Sequence, residues 1–166
     1  MLPDRWTHST LDSVTKITDC RHKTPKYSNF GIPVISPGDL SWGKLNTLKT
    51  KRYIHPKEYE EYMGHCSPMS GDLIFGRNQN VGTTSYVDGN EKFVLGQDTI
   101  LISPNKINGK YIYYYIQSNI TQDSIKKIGG GSTFFRINLK DIRNLKIAFP
   151  PLPEQKKIAA ILSTWD

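Results

Sequence analysis

A polar segment enclosed by two glycines holds the side chains best suited to recognising another molecule. Residues 76–82 read GRNQNVG and follow the apolar triplet 73–75, a pattern typical of a buried strand that ends in a loop. In a DNA groove, arginine pairs bidentately with guanine, whereas asparagine and glutamine pair with adenine. A polar hairpin without a special function can have the same composition. The candidate base-reading residues are Arg77, Asn78, Gln79 and Asn80.

Basic residues outside this segment are suited to the phosphates of a nucleic acid. The chain carries a net charge of +7, and residues 101–150 contain eight Lys or Arg residues but only two acids. A basic surface attracts polyanions, chiefly nucleic acid, although the same charge is compatible with a solvated face that has no partner. The glycine triplet 129–131 predicts a mobile loop whose amides could lie against a phosphate backbone. The candidate phosphate-binding residues are Lys23, Lys49, Lys51, Arg52, Lys126, Lys127, Ser132, Thr133 and Arg136.

The sequence offers no set of residues for catalysis. Adenine methylation uses a loop with Asn or Asp, two prolines and Tyr or Phe; residues 149–152 read FPPL and keep only the prolines. There is no glycine-rich nucleotide motif, and no acidic pair with a lysine for a metal-dependent nuclease. Cys20 and Cys66 each lie near a histidine, but their spacing matches no common zinc pattern. We therefore predict a non-catalytic chain that needs neither a metal nor a cofactor.

The C-terminal segment 149–165 predicts a helix that contacts another protein. Prolines are tolerated in the first turn of a helix, and Glu154 adds a negative charge where the helix dipole favours one. Apolar residues follow at helical spacing and predict one apolar face. A face of about three turns has little length over which to bury itself, so we expect it to pack on another chain, although a helix folded onto its own core would show the same pattern. The predicted partner-binding residues are Pro150, Pro151, Glu154, Gln155, Ile158, Ile161, Leu162 and Trp165.

These residues require a scaffold of short elements. With 166 residues and a hydrophobic content of 37%, the chain is long enough for one globular domain, and no apolar run reaches the length of a membrane span. The N-terminus has no apolar core of a signal peptide, so we expect a cytoplasmic protein. Periodicity predicts an α+β fold, in which a twisted mixed β-sheet carries short helices and long loops. The predicted strands lie at 31–35, 73–75, 83–87, 93–95, 99–102 and 145–149, and the main helix lies at 109–118.

The whole chain resembles a target recognition domain of a type I restriction-modification specificity (S) subunit. The most specific likeness is the final motif, because in that family a diproline followed by Glu-Gln and a helix closes the recognition domain and begins the conserved spacer helix. The resemblance therefore implies a recognition domain at residues 1–150 and the start of a long spacer helix at 151–166. The segments that carry it are HKTP (22–25), GIPVI (31–35), SGDLIFGRNQNVG (70–82), VLGQD (94–98) and PPLPEQKKIAAIL (150–162).

This resemblance implies sequence-specific binding of double-stranded DNA. The family's S subunit has two such domains held apart by paired helices, and each domain reads one half of a bipartite target. Methylation is then performed by methyltransferase (M) subunits, and cleavage by a restriction (R) subunit bound through them. Because this sequence has one domain, we expect either a fragment or a half-length subunit that pairs with a second recognition half. The alternatives are the recognition domain of a fused N6-adenine methyltransferase and restriction enzyme, or a protein-interaction module with an incidental basic face.

Overall fold

Short strands and short helices alternate in the computed structural model, which describes residues 5–130, 132 and 135–165. The strands are β1 (Thr7–Thr10), β2 (Thr15–Asp19), β3 (Ile32–Ile35), β4 (Gly43–Lys44), β5 (Tyr53–Ile54), β6 (Leu73–Gly76), β7 (Thr84–Tyr86), β8 (Val94–Leu95), β9 (Thr99–Pro104) and β10 (Lys146–Phe149). The helices are α1 (Leu11–Val14), α2 (Tyr59–Met63), α3 (Gly109–Gln117), α4 (Asn119–Ile128), α5 (Leu139–Arg143) and α6 (Leu152–Leu162). Single 3₁₀ turns occur at Pro37–Asp39, Thr47–Lys49 and Pro56–Glu58.

A five-stranded mixed sheet, in the order β2-β9-β6-β7-β4, forms the centre of the fold. Its neighbouring strands are antiparallel except for β4 and β7, which run parallel. A second sheet pairs β3 with β5 on one side and with β8 on the other, and β1 pairs with β10. The predicted α+β fold with a mixed sheet is confirmed.

The central strands are buried on both faces, which explains why they read as continuous apolar runs. Side chains alternate across a strand, so Leu73 and Phe75 belong to one hydrophobic cluster while Ile74 between them belongs to another. The first cluster includes Ile112 of α3, and the second includes Val34 of β3. The central sheet is thus packed between the helices and the small sheet.

Several connecting segments of the central sheet and of the small sheet meet at one end of their strands. Asp19 ends β2 opposite Ile100 at the start of β9. Gly76 ends β6 opposite Thr99, and β3 and β8 end side by side in parallel register. The segments that meet here, which we call the loop edge, are 20–27, 36–38, 77–83 and 96–98.

Helix α4 was not predicted from the sequence. It begins directly after α3, with Ser118 as the residue between them, and it buries only Thr121 and Ile125 among its residues. Seven of its ten residues are polar, so the segment has the composition of a loop although its apolar and polar residues lie on different faces. Among the described residues, no helix combines the length and apolar character needed to cross a membrane.

Candidate nucleic-acid interface

The loop after β6 is held in one conformation by its own backbone. The Gly82 N–H donates to the Gly76 carbonyl at 3.0 Å, and the Thr83 N–H donates to the Asn80 carbonyl at 3.0 Å. Gln79 adopts a positive φ of 57° at the tip of the loop. Gly82 lies so close to α4 that a Cβ atom there would stand 3.0 Å from Ile125 Cδ1. The loop therefore presents the exposed side chains of Gln79 and Asn80 from a closed and packed turn.

Arg77 lies inside the protein, although the sequence predicted that it reads a base. It is 3% exposed, and its Nη1 donates to both carboxylate oxygens of Asp19, at 2.9 and 3.0 Å. Its Nε donates to the carbonyl of Ile137 at 3.2 Å. In this arrangement the guanidinium is not presented to solvent, and it has to leave Asp19 before it can reach a base edge.

Asn78 and Arg136 share a second carboxylate below the loop. The Asn78 amide donates to Asp98 Oδ2 at 3.1 Å, and the Arg136 guanidinium is ion-paired with Asp98 Oδ1. Burial alone would raise the pKa of Asp98, but the hydrogen bonds from Arg136 and Asn78 outweigh this effect, so the pKa of the carboxyl lies below its usual value. These two predicted DNA-binding side chains are therefore already engaged with an ionised partner.

Gln79 instead meets the basic residues of segment 49–52. A surface concavity of about 320 Å³ at the loop edge is lined by Gln79 and by Lys49, Lys51 and Arg52. Its wall is completed by Ser36, Gly38 and Asp39 of the turn after β3 and by Thr50. The carboxylate of Asp39 accepts a hydrogen bond from the Ser36 backbone N–H at 2.8 Å. Residues predicted separately as base-reading and phosphate-binding thus converge on one site from distant parts of the sequence.

The three cations of this concavity are positioned but not neutralised. Lys49 donates to the Ser41 hydroxyl at 2.9 Å, and Arg52 donates to the Ser36 hydroxyl at 3.3 Å. The Arg52 guanidinium also lies 5.5 Å from the centre of the Tyr27 ring, a cation–π arrangement. Within the described ranges, none of the three cations forms an ion pair with an acid. Their positive charge remains available to an anionic partner.

Other predicted phosphate-binding residues lie outside this concavity. Lys23 is ion-paired with Glu61 on the surface, and Lys126 lies 3.6 Å from Asp123 within α4. Lys127 and Ser132 are exposed at and beyond the C-terminal end of α4. Thr133, like Gly131 of the predicted mobile loop, lies outside the described residues.

Sequence reasoning missed the two acids that organise this region. Asp19 was not singled out, and Asp98 appeared only within the VLGQD segment. Asp98 has a positive φ of 63°, which is uncommon outside glycine and marks a turn. Asp98 directly precedes the predicted strand 99–102, and that position was the available signal. The strand that ends at Asp19 was not predicted, so the sequence offered no comparable signal for this acid.

The C-terminal helix α6 is anchored to the domain by a polar side chain. Gln155 is 2% exposed; its Oε1 accepts from the Asn108 backbone N–H at 2.9 Å, and its Nε2 donates to the Pro150 carbonyl at 2.8 Å. Glu154 pairs with Arg5 at 3.1 Å. The sequence predicted that Gln155 and Pro150 contact a partner. In the structure both residues are buried within this chain.

The apolar residues of the C-terminal segment divide between two surfaces. Ile158 packs against the core, and Leu162 lies beside it in a shallow apolar groove formed with α3 and Trp6. Ile161 and Trp165 are instead 63% and 86% exposed. Because α6 ends at Leu162, Trp165 lies beyond the helix, although the sequence had placed it on the apolar face of the helix. The predicted apolar face is therefore partly docked on this domain and partly open.

The cysteines have the properties of ordinary reduced thiols; Cys20 is buried and Cys66 is half-buried. Both are free, and burial raises the pKa of Cys20 to about 11 and raises that of Cys66. The His65 ring nitrogen Nε2 lies 2.9 Å from the carbonyl oxygen of Asp19. In the part of the chain that the structure describes, no three His, Cys, Asp or Glu side chains are grouped so as to hold a metal ion.

Comparison of the sequence with known families gives a match over nearly its whole length. Residues 3–166 match the type I restriction modification DNA specificity domain. A putative type I restriction enzyme MjaX specificity subunit of Methanocaldococcus jannaschii is 35% identical over 146 residues, which cover 82% of this chain and 33% of that protein. A putative type I restriction enzyme specificity subunit, S.HindORF215P of Haemophilus influenzae, is 28% identical over 138 residues, covering 79% and 34%. The chain thus spans about a third of the length of these relatives.

Solved structures have the same fold. The HsdS subunit of Thermoanaerobacter tengcongensis superposes with a TM-score of 0.69 at 20% identity, over 99% of this chain and 38% of that chain. The S subunit of a type I restriction-modification system from M. genitalium gives a TM-score of 0.68 at 18% identity, over 100% and 41%.

Proposed function

The chain belongs to the family of type I restriction-modification DNA specificity domains, and from this membership we propose that it binds double-stranded DNA sequence-specifically and reads one half of a bipartite target. The observation that carries the proposal is the concavity at the loop edge, where Gln79 lies beside Lys49, Lys51 and Arg52. This combination suits DNA, because its phosphates attract cations while its base edges accept directed hydrogen bonds.

The two kinds of side chain have separate tasks in this proposal. Lys49, Lys51 and Arg52 bind phosphates and fix the position of the domain on the duplex. Gln79 and Asn80 reach the base edges, for which their amide groups are suited to adenine. The basic end of α4, which lies beside the loop at Gly82, provides further phosphate contacts through Lys126, Lys127 and Ser132. Thr133, which lies outside the described residues, is kept as a proposed phosphate contact from the sequence alone.

The exposed part of α6 is the proposed contact with other proteins. Ile161, Leu162 and Trp165 leave an apolar surface that water disfavours and that a second protein can cover. We assign this surface to the start of a spacer helix, which binds the M subunits and the second recognition half, with the R subunit bound through the M subunits. Gln155 and Pro150 hold the helix in place rather than contact the partner.

The chemical steps belong to other subunits in this proposal. Relatives of this chain are specificity subunits, so we place methylation in the M subunits and cleavage in the R subunit. A chain that acts on DNA in such a complex works in the cytoplasm.

Selection of bound sequences from a random duplex pool, with the M subunit present, tests the proposal. We expect enrichment of a bipartite sequence and retention of the preference at physiological salt. Enrichment of no sequence, with binding that disappears at that salt, would instead identify a protein-interaction module with an incidental basic face. For the helix, a double variant with Ile161→Ser and Trp165→Ser, which leaves the Gln155 anchor intact, should no longer assemble with the M subunit. Unchanged assembly of this variant would refute the partner assignment.

A further inference from the structure

We propose that the ion pair between buried Arg77 and partly exposed Asp19 is a positioning device for the recognition loop. It sets how sharply the protein discriminates between bases, although neither residue contacts DNA. This inference rests on the proposed function and assigns Arg77 a different role from the base reading that its sequence context predicted.

Arg77 joins three segments that are distant in the sequence. Its side chain reaches Asp19 at the end of β2 and the carbonyl of Ile137. Its backbone N–H donates to the Asp98 carbonyl at 2.8 Å, and its own carbonyl accepts from the Ile137 N–H at 3.0 Å. The first residue of the recognition loop is therefore fixed through both its side chain and its backbone.

Arginine is well suited to this position. Its planar guanidinium donates in several fixed directions, whereas a lysine ammonium is a single charge on a flexible stem. Asp19 also neutralises the guanidinium of Arg77, which is buried where an unpaired charge is strongly unfavourable, whereas Asp19 itself is partly exposed. The pair is consequently stable in one geometry and poor in others.

Arg77 fixes the tip of the loop because Gln79 lies only two residues after it. Gly82 closes the loop back onto Gly76, the residue before Arg77, and the Asn78 side chain ties the next residue to Asp98. Gln79 follows directly. A bidentate contact with a base tolerates only small errors in position, so a loop that is loose by about 1 Å no longer discriminates well.

A residue that contacts a base and a residue that only positions the loop should differ in their effect on specificity. Replacing a base-contacting residue such as Gln79 changes which base is preferred at one position of the target. Replacing a positioning residue lowers the preference for the correct base at every position that the loop contacts. It leaves the order of preference, the affinity for random DNA and the salt dependence of that affinity unchanged. If the ion pair only stabilised the fold, its replacement would change none of these base preferences in a protein that still folds.

The test compares Arg77→Lys and Asp19→Asn with wild type, using full-length chain bound to the M subunit. Dissociation constants are measured for the selected duplex, for each of its single-base variants and for a random duplex. We expect both variants to reduce the selected-to-variant affinity ratios about tenfold. Asp12→Asn is the matched control, because Asp12 is an exposed acid that pairs with Arg143 at 3.5 Å beside α1; its ratios should equal those of wild type.

Three results would overturn the inference: wild-type ratios in folded variants, an equal loss on all duplexes including the random one, or a new preferred base in Arg77→Lys. The last result would make Arg77 a base-contacting residue. If a single variant does not fold, the neutral double variant Asp19→Asn, Arg77→Gln replaces it, since it leaves no unpaired charge. A wild-type complex that shows no sequence preference would refute the proposed function instead.

Discussion

The side-chain amide of Gln79 lies against Gly38, so that a Cβ atom on Gly38 would stand 3.0 Å from Gln79 Oε1. The two residues come from different loops of the loop edge and form one wall of the basic concavity. Because Gly38 has no side chain, the backbone of the Pro37–Asp39 turn limits the space in which the Gln79 amide can lie.

Gly38→Ala should displace the Gln79 amide without destabilising the protein, because the atom that the new methyl meets is the end of a flexible side chain. We expect a loss of about 1 to 3 kcal/mol of discrimination at the base that Gln79 reads, with an unchanged melting temperature. Binding to the selected duplex and its single-base variants measures this loss. In a Gln79→Ala background the same substitution should have no further effect, and an undiminished effect there would show that Gly38 acts by another route.

Lys51→Ala should weaken binding to all duplexes by a similar factor. Lys51 is exposed in the concavity and pairs with no described acid, so we assign it to a phosphate. The slope of log affinity against log salt concentration should fall by about 1. Lys146→Ala is the control, because Lys146 is exposed on β10 and lies opposite Thr10 of β1. Thr10 directly precedes α1 and the start of β2, whereas the loop edge lies at the other end of β2. A loss confined to the selected duplex would identify Lys51 as a base contact.

Gln155→Ala should destabilise the domain by about 1 to 3 kcal/mol, because the Asn108 N–H and the Pro150 carbonyl would lose their buried partner. Urea unfolding measures the change. Lys156→Ala, on the exposed side of the same helix, should leave the midpoint where it is. Equal midpoints for wild type and Gln155→Ala would mean that α6 is not anchored through this residue.

Asp98 should make the domain sensitive to acid. Its pKa is lowered in the folded state, so its contribution to stability is present above the unfolded value of about 4 and is lost as the pH falls through the folded value. The free energy of unfolding of Asp98→Asn should therefore fall less than that of wild type between neutral pH and pH 3. Parallel decreases in the two proteins would contradict this role for Asp98.

The sequence predicted the scaffold well because its signals are local. The apolar run at 73–75 and the alternation at 145–149 each fix a strand within a few residues, and β6 and β10 lie there. The cap of α5 is equally local, because the Asn138 side chain accepts from the Asp141 N–H, three residues away, at 2.9 Å. Such features depend on neighbouring residues that are visible in the sequence.

The use of individual polar residues was not predictable in the same way. Nothing local to Arg77 shows that Asp19, far along the chain, will take its guanidinium. The apolar pattern of α6 likewise pointed to Ile161 and Trp165, whereas the residue that anchors the helix is polar Gln155. A polar side chain in the interior is identified by its partners, and those are set by tertiary structure.

Photocrosslinking tests most directly whether the loop edge faces DNA. A benzophenone amino acid is placed at Leu48, which is highly exposed beside Lys49 and has no proposed DNA contact, or at Lys146, which is exposed on β10. Each complex with the M subunit is irradiated on the selected duplex. We predict crosslinks within one half of the bipartite target from position 48 and none from position 146. Equal crosslinking from both positions, or crosslinking from position 146 alone, would contradict the assignment of the loop edge as the DNA-binding surface.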